Sequence, residues 1–170
     1  TDIIPEREIS GGSAANTVAA IASLGGTPAY IGKVHDDEMG QEFRRDIGAA
    51  GVDFFTQPLL QGPSTARSIV LVTPDAQRSM FTYLGASTHL TVDDIDEKII
   101  STAKIIYLEA YLLDDETSSE AMVKAAKLAH QYGRQVALTL SDTSCIERHR
   151  EKLKQFIHDD VDILFANDME

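Results

Sequence analysis

Hydrophobic residues recur along the chain in two different periods, and the alternation of these periods predicts an α/β protein. The first predicted helix, Ala14 to Leu24, is small and apolar and lies between Gly11-Gly12 and Gly25-Gly26, which are typical start and stop signals. After the acidic turn at residues 36–38, apolar residues continue at helical spacing as far as Gly51. Strands are predicted from Ala29 to Val34 and from Val52 to Thr56.

A different pattern occupies the middle of the chain, within residues 66–84. Ile69 to Thr73 and Met80 to Leu84 are rich in β-forming residues, and Pro74-Asp75 between them is a favoured pair for a type I turn. These residues predict an antiparallel hairpin.

Strand and helix alternate again over the second half of the chain. One predicted helix begins at a capping-box-like sequence at residues 91–94, and two more run from Asp115 to Tyr132 and from Ile146 to Ile157. The predicted strands are Lys104 to Leu108, Val136 to Leu140 and Val161 to Ala166. Strands separated by helices of this length imply right-handed crossovers and a parallel sheet covered on both faces.

Composition and charge narrow the classes of function. The chain has 170 residues, of which 43% are hydrophobic and 25% charged, so one compact domain with a real core is expected. Its net charge of −12 repels a phosphate backbone and argues against a nucleic-acid partner. No apolar run is long enough to span a bilayer, and residues 1–6 lack a basic region before an apolar one, so we expect a soluble protein without a membrane partner. The single cysteine, Cys145, fits a reducing compartment, and we expect a cytoplasmic location.

The first candidate for chemistry is Gly11-Gly12-Ser13 with Asn16, at the start of the first predicted helix. Two glycines allow a ligand close to the backbone, and the free N–H groups of a helix start favour oxygen-rich groups. The carboxamide of Asn16 can donate to and accept from neighbouring hydroxyls, as recognition of a sugar diol requires. The spacing also fits a plain glycine turn with an Asn near the cap, and both interpretations stay open. Neither a dinucleotide fingerprint nor a Walker loop occurs in the chain.

The second candidate is Asn167-Asp168-Met169-Glu170, directly after the last predicted strand. The loops beyond the carboxyl ends of parallel strands collect ligands, and an amide and a carboxylate three positions apart can hold a hydrated Mg²⁺ near a triphosphate. The same spacing is typical of a helix capping box, so this interpretation also has an alternative.

Taken together, these segments resemble a known family. Residues 11–17 (GGSAANT), 24–26 (LGG) and 31–40 (IGKVHDDEMG) resemble the N-terminal signature of the ribokinase-like, PfkB-type carbohydrate kinases. Residues 78–86 (RSMFTYLGA) and 107–111 (YLEAY) are similar to the adenosine-kinase-like bacterial branch. Asn167 with Glu170 matches the Asn-x-x-Glu motif of the family, so the resemblance runs from about Ser10 to the last residue.

The resemblance implies a fold and an activity. The expected fold is a three-layer α/β/α sandwich with a small β-sheet lid, here incomplete at both ends, so residues 1–170 would form one partial domain with the hairpin at 66–84 as its lid. The expected activity is transfer of the γ-phosphate of ATP to a primary hydroxyl of a sugar or nucleoside. The implied cofactors are ATP and Mg²⁺, with a K⁺ requirement left open, and a homodimer through the lid is an open possibility.

The resemblance also assigns roles to particular residues. Gly12, Ser13 and Asn16 would hold the ribose hydroxyls, with Gly11 shaping the turn. The residues that would line the base or sugar pocket are Met80, Thr82, Glu109 and Leu112. Asn167 and Glu170 would organise Mg²⁺ and phosphate through water. Ser13 stands where ribokinases carry Lys, which favours a nucleoside over free ribose.

Two parts of the family pattern do not occur in these residues. Family members open with a strand that supplies a substrate-binding Asp, and they carry a later Gly-Ala-Gly-Asp whose Asp is the general base; the chain contains no Gly-Ala-Gly-Asp. Because phosphoryl transfer depends on positioning and on stabilisation of the transferring group, we expect the 170 residues alone to be inactive. The alternatives are a non-catalytic nucleoside- or sugar-binding module and an interaction domain of the same fold. A dehydrogenase is supported by fold analogy alone.

Overall fold

The computed structural model describes residues 7–170; Thr1 to Glu6, the residues that bear on the expected absence of a leader sequence, lie outside the described residues. The helices within residues 7–170 are α1 (Ser13–Ser23), α2 (Glu38–Ala49), α3 (Glu97–Thr102), α4 (Glu116–Gln131) and α5 (Thr143–Asp160). The strands are β1 (Arg67–Val72), β2 (Arg78–Tyr83), β3 (Ile105–Glu109), β4 (Gln135–Thr139) and β5 (Ile163–Phe165). Short 3₁₀ turns cover Gly85–His89, Val92–Asp94 and Ala110–Asp114.

The parallel sheet predicted for the second half is confirmed. Its order is β3-β4-β5, with Leu108 opposite Leu138 and Leu138 opposite Leu164. α4 connects β3 to β4, and α5 connects β4 to β5. Because carboxyl ends of parallel strands meet at one edge, the residues after Glu109, Thr139 and Phe165 share that edge of the sheet.

The hairpin is also confirmed, as the antiparallel pair β1 and β2. Its turn is closed by two hydrogen bonds, from the Ala76 N–H to the Thr73 carbonyl (2.8 Å) and from the Thr73 N–H to the Gln77 carbonyl (2.9 Å). Pro74-Asp75 occupies the centre of that turn, as predicted. Every residue of both strands is exposed except Leu71, which is partly buried.

The two strands predicted in the first part of the chain do not form as regular strands. Residues 29–35 and 53–59 run parallel but pair only through two isolated bridges, Ala29 with Asp53 and His35 with Leu59. No backbone hydrogen bond joins residues 31–33 to residues 54–58, so the ladder is interrupted between the two bridges. The two strand predictions were therefore correct about parallel pairing segments and wrong about regular strands.

The predicted capping box at residues 91–94 is present, but it starts a 3₁₀ turn and not the helix. The Thr91 N–H donates to the Asp94 carboxylate (3.0 Å), and the turn ends at Asp94. The helix α3 begins at Glu97, where Asp96 accepts from the Lys98 N–H (2.8 Å). The capping-box prediction thus identified a helical turn correctly, but it placed the start of the helix several residues too early.

The core consists of two hydrophobic clusters that are formed by different helices and strands. The larger cluster lies between α4 and the parallel sheet and includes the fully buried Ile100, Met122 and Leu138. The smaller cluster joins α1 and α2 around Ala15 and Ile47. None of the helices in residues 7–170 is both long and apolar enough to pass through a bilayer.

Candidate functional site

The first helix begins at the carboxyl end of β3. Glu109, the last residue of β3, accepts a hydrogen bond of 2.8 Å from the Ser13 hydroxyl at the start of α1. It also accepts from the Ala14 N–H. A carboxylate at this position satisfies two donors of the helix N-terminus and complements the positive end of its dipole. This contact places the glycine pair at the edge of the sheet where ligands bind in α/β proteins.

The backbone at Gly12 explains why a glycine precedes the helix. Its φ is 115°, a left-handed value that side chains disfavour, while a Cβ there would meet nothing closer than the Ala15 Cβ at 3.8 Å. Glycine is therefore required at this position by the backbone conformation, since the surroundings would leave room for a side-chain Cβ. The turn leaves Gly11, Gly12 and Ser13 exposed.

Asn16 lies one helical turn beyond Gly12 and is exposed. Its backbone N–H donates to the Gly12 carbonyl (2.8 Å), which is the first bond of α1. Its side chain forms no hydrogen bond with the described residues, so both the donor and the acceptor of the carboxamide are available to a ligand. An Asn needed only as a cap would use its side chain on the backbone, and here Gly12 is the N-cap residue.

Burial raises the pKa of Glu109 above the usual carboxyl range, and the hydrogen bonds from Ser13 and Ala14 offset only part of that increase. The same carboxylate contributes to a second shift. Burial, followed by the charge of Glu109, raises the pKa of Tyr30 to about 12. The site therefore contains a half-buried acid, Glu109, whose charge shifts the pKa of Tyr30. This acid lies beside the start of α1, where polar groups are free.

The other pocket residues named from the sequence lie on the hairpin and in the turn after β3. Met80 and Thr82 lie on β2 with their side chains on one face of the hairpin, because alternate residues of a strand share a face. Leu112 follows Glu109 in the 3₁₀ turn and packs against the larger cluster. Among the described residues, no hydrogen bond connects the hairpin to residues 11–16.

Asn167 and Glu170 contact each other directly after β5. The Asn167 Nδ2 donates to Glu170 Oε1 (2.9 Å) and the Asn167 N–H to Glu170 Oε2 (3.3 Å). In return, the Asn167 Oδ1 accepts from the Glu170 N–H (3.1 Å). This reciprocal pattern is that of a capping box. It holds an amide and a carboxylate together at the carboxyl edge of the sheet.

Sequence reasoning missed two residues at the same edge. The Tyr111 hydroxyl donates to the Asp142 carboxylate (2.8 Å), and Asp142 also caps α5 by accepting from the Cys145 N–H (2.6 Å). An Asp placed just after a buried strand is a signal that could have identified Asp142. The positive φ of 73° at Ser141, which turns the chain there, has no comparable signal.

The surroundings of Cys145 disfavour a nucleophilic role. Its side chain is fully buried, and burial, followed by the charge of Asp114, raises the pKa of its thiol to about 11. Metal ligation is equally restricted. Residues 7–170 contain no cluster of three or more His, Cys, Asp or Glu side chains that could hold a metal ion.

Comparisons with known proteins agree with this arrangement of elements and motifs. In structure, the chain is similar to the adenosine kinase from Sinorhizobium meliloti, with a TM-score of 0.93 and 47% identity over 98% of this chain and 51% of that one. A probable sugar kinase from Rhizobium etli gives a TM-score of 0.90 and 45% identity over 94% of this chain and 49% of that one.

In sequence, the chain is 30% identical over 165 residues to the ATP-dependent ribose-1-phosphate kinase from Halopiger xanaduensis, covering 97% of this chain and 52% of that protein. The chain thus spans about half the length of these relatives. The structural likeness confirms the ribokinase-like α/β fold expected from the sequence. Residues 7–170 match the pfkB family carbohydrate kinase, and the chain belongs to that family.

Proposed function

We propose that this chain is the acceptor-binding half of an adenosine-kinase-like enzyme that transfers the γ-phosphate of ATP to the primary hydroxyl of a ribose. The acceptor would be a nucleoside or a sugar, held over the start of α1. The other half of such an enzyme would supply the general base, because no Gly-Ala-Gly-Asp occurs in the chain. The polypeptide that joins both halves is called the full-length kinase.

The observation that carries this proposal is the contact between Ser13 and Glu109 beside the free carboxamide of Asn16. A vicinal diol presents two donors and two acceptors to its binding site. The Asn16 amide can complement one hydroxyl with each of its ends, and the Glu109 carboxylate can accept from a third group. All of these groups stand on the rigid ends of a strand and a helix, which favours a fixed position for the acceptor.

A nucleoside acceptor is favoured by two findings. Ser13 donates to Glu109 and leaves this carboxylate without a cationic partner among the described residues. A lysine at that position would instead neutralise the acid and extend toward a free sugar. The likeness at 47% identity to the adenosine kinase from Sinorhizobium meliloti supports the same class of acceptor.

Asn167 and Glu170 fit a hydrated Mg²⁺ better than a directly coordinated one. Their side chains already hydrogen-bond to each other, and within the described residues Glu170 belongs to no cluster of three or more His, Cys, Asp or Glu side chains that could hold a metal ion directly. Mg²⁺ commonly keeps several waters and uses one or two carboxylates together with phosphate oxygens. When bound, the ion would neutralise charge on the phosphates of ATP. In this proposal, Glu170 orients its water shell and Asn167 fixes the carboxylate.

The decisive experiment measures ADP release with Mg-ATP and adenosine, ribose or fructose in separate reactions. We expect turnover with the full-length kinase and none above background with the 170-residue chain. Replacement of Asn16 by Ala should lower kcat/KM for the acceptor by at least about tenfold, since two hydrogen bonds to the acceptor are lost.

The matched control is Ser23→Ala, which removes another exposed polar side chain from the same helix. This variant should retain the kcat/KM of the wild type. Equal losses in both variants, or turnover by the 170-residue chain, would contradict the proposal. Adenosine binding without any turnover by the full-length protein would favour a non-catalytic binding module.

A further inference from the structure

The hairpin of β1 and β2 projects from the rest of the described chain. Eleven of its twelve strand residues are exposed, so packing of its two faces does little to fix its direction. The two chain segments that connect it to the rest are residues 64–66 and 84–86, which we call the root. The direction of the hairpin must therefore depend on the root.

Within the root, the two segments are joined backbone to backbone. The Ala86 N–H donates to the Ser64 carbonyl at 2.9 Å. Gly85 has a φ of 47°, and a Cβ at this position would lie 2.1 Å from the same Ser64 oxygen. Ala86 is fully buried. The outgoing and returning segments consequently behave as one unit.

The carboxylate of Asp37 attaches this unit to the start of α2. Its Oδ1 accepts from the Thr65 hydroxyl (2.6 Å) and from the Gly40 N–H (2.9 Å), and its Oδ2 accepts from the Thr65 N–H (2.9 Å). The Thr65 hydroxyl oxygen in turn accepts from the His35 N–H (3.0 Å). Thr65 is buried, so these bonds are shielded from water.

Two further features show that the contact between the start of α2 and the root is specific. A Cβ at Gly40 would lie 2.0 Å from the His35 carbonyl oxygen and 2.9 Å from the Thr65 hydroxyl oxygen, so only glycine lets the start of α2 pack this closely against residue 35 and the root. Burial raises the pKa of Asp37, but the hydrogen bonds from Thr65 and Gly40 lower it by more, and the net pKa lies below the usual carboxyl range. The acceptor is therefore a carboxylate at neutral pH.

We propose that Asp37 and Thr65 are positioning residues that set the direction of the hairpin over the acceptor site. This inference rests on the proposed function, together with the lid role that the family resemblance implies for the hairpin. Asp37 holds the incoming segment at both its backbone and its side chain, and the Ala86 bond carries that restraint to the returning segment. Any swing of the hairpin is confined to the residues outside these bonds, next to Arg67 and Tyr83.

The test compares two substitutions of Thr65 in the full-length kinase. Thr65→Val has nearly the same shape but lacks the hydroxyl, whereas Thr65→Ser keeps it. We expect the valine variant to raise KM for the acceptor by about fivefold or more and to leave KM for ATP within about twofold of the wild type. The serine variant should restore the acceptor KM.

The matched control is Thr117→Val at the start of α4. Thr117 donates its hydroxyl (2.8 Å) and its N–H (3.0 Å) to Asp115, the N-cap of α4, and so repeats the chemistry of Thr65 away from the root. Its variant should lower thermal stability by less than Thr65→Val, because Thr117 is exposed, and should leave the acceptor KM unchanged. An equal rise of acceptor KM in both valine variants would overturn the proposal.

A second measurement separates this inference from the proposed function. Amide hydrogen exchange of the full-length protein should accelerate at residues 64–67 and 83–86 in Thr65→Val, and should match the wild type there in Thr117→Val. Absence of kinase turnover in the wild type would remove the proposed function and leave this readout intact. Unchanged exchange at the root in Thr65→Val would overturn the role of Asp37 and Thr65.

Discussion

The Ser13 hydroxyl reaches the carboxylate of Glu109 across 96 positions of sequence at 2.8 Å. The contact fastens the first helix to the carboxyl end of β3. It also determines the electrostatics of the site, because Glu109 is a half-buried acid whose hydrogen bonds do not fully offset its burial. This combination leads to a prediction about stability and activity.

We expect Glu109→Gln to stabilise the full-length kinase at about pH 7 while lowering its activity. The pKa of Glu109 is raised in the folded state, mainly by burial, so its native form holds a proton more tightly than its unfolded form. The stability of the wild type therefore falls as pH rises from the ordinary carboxyl pKa through the raised one. In Glu109→Gln, the free energy of unfolding should not show this fall with pH, because the amide does not titrate.

Urea unfolding across the acidic and neutral range checks this prediction. The curves of the two proteins should converge below the ordinary carboxyl pKa and diverge above it, with the variant more stable. Activity measured on the same samples should fall by at least about tenfold in kcat/KM for the acceptor. A variant that is less stable at every pH would show that the charge of Glu109 stabilises the fold.

Ile100 anchors the larger cluster, and its truncation should be costly. Its side chain is 1% exposed in α3. Ile100→Ala should lower the free energy of unfolding by about 2–5 kcal/mol, through lost burial and a cavity. Ile69→Ala, on the exposed hairpin at 58% exposure, should change it by less than about 0.5 kcal/mol. Chemical denaturation of both variants measures the contrast, and similar losses would contradict the assignment of the core.

The hydroxyl of Tyr111 supports the cap of α5 through Asp142. The pKa of Asp142 is lowered by the Cys145 N–H and then by Tyr111, so its stabilising effect is present above the ordinary carboxyl pKa and is lost as pH falls through the lowered one. Tyr111→Phe should cost about 1 kcal/mol at neutral pH, and less in acid.

Tyr83→Phe is a suitable comparison for the Tyr111 variant. Tyr83 is exposed to a similar degree, 44% against 41%, and its hydroxyl forms no hydrogen bond with the described residues. Its substitution should leave the stability of the protein unchanged at each pH. Thermal unfolding of both variants against pH tests the difference, and a loss that does not vary with pH would exclude Asp142 as the group involved.

The hairpin should also mediate association of two copies of the full-length kinase. Ile69 and Phe81 face each other across β1 and β2 and are 58% and 63% exposed, which leaves an apolar face without cover among the described residues. Phe81→Asp should convert a dimer into a monomer in sedimentation velocity runs. Leu60→Asp, at a position in a loop that is still more exposed (73%), should remain dimeric. A monomeric wild type would contradict the prediction.

The sequence predicted best those elements whose pattern is long and bounded by clear caps. The helix predicted from Asp115 to Tyr132 forms as Glu116–Gln131, with Asp115 as its cap and Gly133 in a left-handed conformation just after it. The hairpin and the parallel sheet match the predicted order for the same reason. Periodicity and end signals agree in these segments, and little else is needed to define them.

The remaining differences come from information that is not local. Ala29 to Val34 has the composition of a strand, but regular pairing also requires an unbroken ladder with a partner segment, and here only two isolated bridges form. The contact of Ser13 with Glu109 depends on the packing of α1 against the sheet. Ser13 and Glu109 were each recognised through the family motifs, whereas the hydrogen bond between them could only be seen in three dimensions.

The two hydrophobic clusters draw on separate stretches of sequence, one on residues 15–54 and the other chiefly on residues 90–161. During synthesis on the ribosome, the aromatic group of Tyr30, Phe43 and Phe54 is complete before the residues of the parallel sheet have been added. Each cluster can then collapse from neighbouring elements, without long loops to close. We therefore expect vectorial folding in two stages, with α1 and α2 docking first and the later strands assembling against α4 as they emerge.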